Sequence, residues 1–107
     1  MSRFFKEIEY NMDKKFLSRL DEARDYAGIP FIINSAYRSP DHPESIKNPT
    51  SSHIKGLAVD IKSNDSITRF KVLNALIAVG FNRIGIAKTF IHVDLDYDKS
   101  QNVIWTY

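Results

Sequence analysis

Apolar residues recur at helical spacing over residues 13–27, where Phe16, Leu17, Leu20, Ala23 and Ala27 fall on one face. Asp13 stands where an N-cap is expected, and Gly28 with Pro30 ends the pattern. The run FIINSAYR, Phe31 to Arg38, is rich in β-branched and aromatic residues and predicts a strand. A second helix is expected over 66–79, capped by Ser66 and closed by Gly80. Its predicted buried stripe is Ile67, Phe70, Leu73, Leu76 and Ile77. Further strands are expected over 57–62, over RIGIAK and FIHVDLD with a tight hairpin at Lys88-Thr89, and over VIWTY. Residues 1–12 read as a short lead-in. Residues 39–52 hold three of the four prolines and read as one long loop, of a length often used for lids or binding.

The order α-β-loop-β-α-β-β-β predicts an α+β domain. Its expected form is a mainly antiparallel sheet of four to five strands with two helices packed on one face. The other face is left to carry a site. Side chains alternate along a strand. Val59 and Ile61 therefore point to the core and Asp60 away from it, while Ile91, Val93 and Leu95 oppose His92, Asp94 and Asp96.

Composition narrows the chemistry. At 107 residues the chain is read as one domain, 1–107, with an ordinary soluble composition. A formal charge of +2, with Lys and Arg scattered, gives no footprint for nucleic acid. There is no cysteine, so disulfides and thiolate metal sites are excluded, and any metal must be held by His and carboxylates. The segment MSRFFKEIEYNMDKKF has no apolar run fit for a signal peptide or membrane span. The expectation is a protein made in the cytoplasm without an export signal, without a membrane partner, and monomeric.

Two short segments carry the candidate chemistry. SSHIKGLAVD places His53 and Asp60 around Gly56, and FIHVDLD places His92 beside Asp94. Two imidazoles and a carboxylate form a three-ligand set of the kind that holds zinc with one position open. A zinc ion there lowers the pKa of water towards about 7 and polarises a carbonyl. Each residue also has a plainer use. A His beside an Asp on a strand is commonly a surface pair, Arg38 a solvated cation, and Gly56 a turn residue. His42, in the Pro-rich loop, is expected to be exposed and not a ligand.

The motifs together resemble the zinc D-Ala-D-Ala carboxypeptidase and L-alanyl-D-glutamate endopeptidase superfamily, which shares its fold with the Hedgehog signalling domain. Ser51, His53, Gly56, Ala58 and Asp60 match its Ser-x-His…Asp signature, and His92 with Asp94 matches its closing His-x-Asp strand. Tyr37-Arg38-Ser39 looks like its Tyr-Arg-Ser segment. The resemblance runs from about Phe31 to Trp105. It implies one Zn²⁺ on His53, Asp60 and His92, and a peptidase acting on peptidoglycan stem peptides that contain D-amino acids. It implies that Arg38 holds a substrate carboxylate or the developing oxyanion, with Tyr37 and Ser51 as supporting substrate-side residues.

One departure stands out. Many relatives carry a Glu, Asp or His three residues before the last ligand as general base, and here that residue is Thr89. Asp94 is the nearest substitute, or else a partner that orients an imidazole. Glu44 and Asp41 are further candidates. The alternative is a non-catalytic zinc domain that binds a partner or wall fragment. A wall substrate with no export signal suggests a phage or prophage enzyme.

Overall fold

The structure, a computed structural model, describes residues 2–107. A 3-10 turn at Lys6–Ile8 precedes α1 (Lys14–Ala27), β1 (Ile33–Ser35), α2 (Pro43–Lys47), β2 (Ala58–Lys62), α3 (Ser66–Ala78), β3 (Arg83–Ile86), β4 (Phe90–Asp94) and β5 (Val103–Thr106). The five strands form one sheet in the order β1-β2-β4-β3-β5. All neighbours are antiparallel except β3 and β5, which run parallel. The sheet is therefore mainly antiparallel, as expected, with one parallel pair at the β5 edge that strand order alone did not predict. The Asp94–Val103 connection carries the chain back to the start of β3, so β5 joins the edge in the same direction.

Local chemistry explains the helix ends. Asp13 caps α1 by accepting from the Phe16 amide at 2.9 Å, and Gly28 closes it at φ 68°. The cap of α3 is Asp65, one residue before the expected Ser66, accepting from the Thr68 amide at 2.8 Å. The Pro-rich segment is not wholly loop. His42 accepts from the Glu44 amide through Nδ1, and Pro43 sits in the first turn of α2, which suits its fixed φ and missing N–H. A third, short helix is thus added to the two expected.

One apolar cluster joins Phe16 and Leu20 of α1, Val72 and Leu76 of α3, and Val59, Ile61, Ile84, Ile91 and Val93 of the sheet. Burying each such side chain is worth roughly 1.5–3 kcal/mol. Phe5 and Met12 of the lead-in also enter this core. The buried face of α1 is the one expected, but that of α3 is not. Val72, Ala75 and Leu76 are buried, with Leu73 partly so, while Ile67, Phe70 and Ile77 are 71%, 68% and 51% exposed. Apolar residues nearly encircle this helix, so its periodicity could not choose the face that meets α1 and the sheet.

Strand 1 is also shorter than expected, three residues against eight, because its ladder with β2 shifts register between Ile33 and Ser35. Ala36 to Arg38 leave the ladder and instead meet the His53 loop, where the Arg38 amide donates to the His53 carbonyl at 3.1 Å. No helix among the described residues is long and apolar enough to cross a membrane.

Candidate metal centre

The site lies on the sheet face opposite α1 and α3. Register aligns one residue from each strand into a row: Ser35, Asp60, His92, Gly85 and Trp105. Asp60 and His92 are direct cross-strand partners, and their side chains meet at 3.0 Å through His92 Nδ1 and Asp60 Oδ1. His53 comes from the turn before β2, its Nε2 lying 3.3 Å from the same Asp60 oxygen. Gly56 lets this turn pack against the backbone of the lead-in at Asn11. It has φ 70°, and a Cβ there would lie 2.0 Å from the Asn11 carbonyl oxygen. Its own carbonyl accepts from the Asp13 amide, tying the His53 turn to the start of α1.

The two imidazoles are oriented from behind. His53 Nδ1 donates to the Ala36 carbonyl at 2.8 Å, and His92 Nε2 donates to Asp94 Oδ2 at 2.7 Å. These tautomers are assigned from the partners. In neutral rings they leave the His53 Nε2 and His92 Nδ1 lone pairs facing an ionised Asp60 oxygen. Three acceptors then converge with no donor among them, an arrangement that requires a cation. One ligand atom from each of His53, Asp60 and His92 lies within 4.8 Å of the others. The donor set suits zinc, which takes neutral imidazole and carboxylate readily.

Without a metal, a proton fills part of this role. Burial works against a charged His92, but hydrogen bonds to and the charges of Asp60 and Asp94 outweigh it and raise its pKa. Burial likewise opposes ionisation of Asp60, yet His53 and His92 hold its carboxyl well below the ordinary range.

Asp94 shares the site face with His92 and borders the cavity, but its neighbours cover it and leave it without solvent exposure. Its Oδ1 accepts from Arg83 Nε at 2.7 Å and from the Asp96 amide at 3.1 Å. Arg83 also donates to the Ser100 carbonyl and lies 5.1 Å from the Trp105 ring. The indole covers Gly85, where a Cβ would come within 2.5 Å of its Nε1, and reaches to 5.5 Å from the His92 ring. Asp96 is buried behind the site, accepting from Ser52 Oγ at 2.8 Å and Lys55 Nζ at 2.9 Å, so it joins the β4–β5 connection to the His53 turn.

A cavity of about 410 Å³ opens over the three ligands. Arg38 and Ser51 line it, and Arg38 Nη2 stands 3.6 Å from the second Asp60 oxygen. Tyr37, Thr89, Asp41 and Glu44 are not among its lining residues. Tyr37 packs edge-on against Tyr10, and Asp41 accepts from Ser39 on the surface. Asp60 and Asp94 supply the carboxylates of the cavity wall. Sequence reasoning missed Arg83, Lys99, Trp105 and Tyr107, all of which line the cavity. Of these, Trp105 and Tyr107 fall on the face of Gly85 by simple alternation once β5 is placed beside β3.

The sequence model of one family, described as Peptidase M15, matches residues 4–94. No curated protein and no solved structure matches the chain. M15 peptidases are zinc-dependent, and the converging His53, Asp60 and His92 provide a candidate site for that ion. With the match spanning most of the fold and both motif segments, the chain belongs to the peptidase M15 family, the zinc D-Ala-D-Ala carboxypeptidase type.

Proposed function

We propose that this protein is a zinc-dependent peptidase that hydrolyses peptide bonds in peptidoglycan stem peptides containing D-amino acids. The observation that carries the reading is the convergence of His53 Nε2, His92 Nδ1 and Asp60 Oδ1 beneath an open cavity. Bound there, zinc supplies Lewis-acid activation of water and polarisation of the scissile carbonyl. The chain's own residues do the rest. Arg38 presents a planar, permanently charged group to a substrate carboxylate or to charge developing on the carbonyl oxygen. Ser51 lines the same wall. Asp94, with both oxygens already engaged and no exposure, holds the His92 tautomer and ring plane; this geometry favours positioning over proton exchange with substrate.

A second reading, a zinc domain that binds a wall fragment without cutting it, draws support from Thr89. The usual position of the base holds a hydroxyl, and it does not line the cavity. Metal analysis combined with digestion of purified peptidoglycan, with and without a chelator, separates the two. The peptidase reading expects one zinc per chain and chelator-sensitive release of peptide fragments identified by mass. Stoichiometric zinc with no fragments selects the binding domain, and absence of stoichiometric zinc removes the basis of both.

A further inference from the structure

The cavity is chemically uneven along the strand direction. The row of Asp60, His92, Gly85 and Trp105 lies at its middle. Towards the end of β4, the next residue on that face is Asp94 with Arg83 beside it, and beyond them the β4–β5 connection brings Lys99 Nζ to 3.0 Å from Ser52 Oγ. Towards the start of β4, the next residue on that face is Phe90. Tyr107 continues β5 past Thr106, its amide donating to the Ile86 carbonyl at 3.2 Å. Its ring meets that of Phe90 at 5.1 Å with an interplanar angle of 60°. Both rings line the cavity, and Tyr107 is 70% exposed. Two residues of strand separate Phe90 from His92, roughly 6.6 Å, which is the reach of one neighbouring side chain in an extended peptide.

We infer that the Phe90–Tyr107 corner is a side-chain subsite for a compact aliphatic group on the peptide, next to the bond held over His53, Asp60 and His92. The inference rests on the peptidase reading and adds specificity-determining residues to it. Two rings set at 60° form a notch rather than a flat platform, which suits a small branched or methyl group better than the broad face of a sugar. Aromatic faces carry negative electrostatic potential and disfavour an anion. Trp105 lines the cavity as well, but its indole already packs on Gly85, Arg83 and His92.

The test uses the zinc-loaded protein and stem peptides, comparing wild type with Tyr107→Ala and Tyr107→Phe. Tyr107→Ala is expected to raise KM about tenfold with little change in kcat. Tyr107→Phe keeps the ring and is expected to restore KM. A peptide with glycine in place of the aliphatic residue should be handled alike by wild type and Tyr107→Ala. Unchanged KM in Tyr107→Ala overturns the subsite while the peptidase reading stands. A loss of kcat in Tyr107→Phe also overturns it, assigning the hydroxyl instead of the ring. If wild type cuts nothing, emission from Trp105, the chain's single tryptophan, reads peptide binding directly. Binding weakened tenfold by Tyr107→Ala then upholds the subsite without catalysis. Binding unaffected by the substitution, or no binding, overturns it.

Discussion

Asp94 Oδ2 lies 2.7 Å from His92 Nε2, on the side of the ring away from Asp60. Arg83 holds the other Asp94 oxygen at the same distance. A buried chain therefore runs from Arg83 through Asp94 and His92 to the point where the ligands converge.

Asp94→Asn tests what that chain does. The amide cannot accept from both His92 and Arg83 as the carboxylate does, so His92 loses its fixed tautomer. Zinc affinity is expected to fall 10–100-fold, with activity recovering at saturating zinc. Competition against a chromogenic chelator measures the first and zinc-dependent peptide release the second. Full zinc affinity with lost kcat would instead make Asp94 the base, and intact hydrolysis at wild-type affinity would remove it from both roles.

Arg83→Met leaves Asp94 buried beside one ionisable partner. Breaking a buried pair by removing one member costs about 3 kcal/mol or more. The variant is expected to melt well below wild type and to bind zinc more weakly, whereas Arg83→Lys should lose less stability because the charge remains. Calorimetry on the two variants checks the order.

Gly56 and Gly85 fail differently when a methyl group is added. At Gly56 the new Cβ meets backbone at 2.0 Å in a left-handed conformation, so nothing flexible can yield. Gly56→Ala should cost at least about 2 kcal/mol and lower Tm by roughly 10 °C. At Gly85 the obstacle is the Trp105 indole, which can swing away. Gly85→Ala should shift Trp105 emission and weaken zinc binding with a smaller loss of Tm. Unchanged emission would show that the indole does not lie across β3.

Acid and base should act on stability in opposite senses. Burial opposes the charges of Asp94 and Asp96, but His92 and Arg83 at the first, and Lys55 and Ser52 at the second, hold both pKa values low. The unfolded chain, with ordinary aspartate near 3.9, takes up protons first. That stabilisation is complete above about pH 5 and is lost as pH falls through the lowered folded values. The pKa of His92 is raised in the fold. Its contribution is complete below the unfolded value of about 6.5 and is lost as pH rises through the folded one. The metal-free protein should therefore be most stable near pH 5–6. Zinc should remove the alkaline decline, because it holds His92 neutral. Melting curves from pH 3 to 9 with and without zinc measure this, and an alkaline decline that persists in zinc contradicts it.

The polar face was readable from local pattern. Strand alternation has a period of two, a property of neighbouring residues only, so Ile91 and Val93 place His92 opposite the core without any knowledge of the fold. The same holds for Val59, Ile61 and Asp60, and for the Asp13 cap and buried stripe of α1. Residue types and spacing offered His53, Asp60 and His92 as one candidate ligand set among plainer readings, and it was the family resemblance of the two segments that assigned zinc to them.

Distances between strands decided the remainder. Arg83 is only a cation in an apolar strand until the pairing of Ile84 with Val93 sets it beside Asp94. Trp105 and Tyr107 reach the cavity because β5 joins β3 in parallel, a pairing made across the sheet and not within either segment. Asp94 changed from an open-face carboxylate to a buried partner of His92 for the same reason: alternation gives a face, but neighbouring strands determine what covers it. On α3, where apolar residues point almost everywhere, only contact with α1 and the sheet selects Val72, Ala75 and Leu76 for burial. Side-chain period is set by backbone geometry one residue at a time, whereas burial and pairing are set by chain segments that meet only after folding.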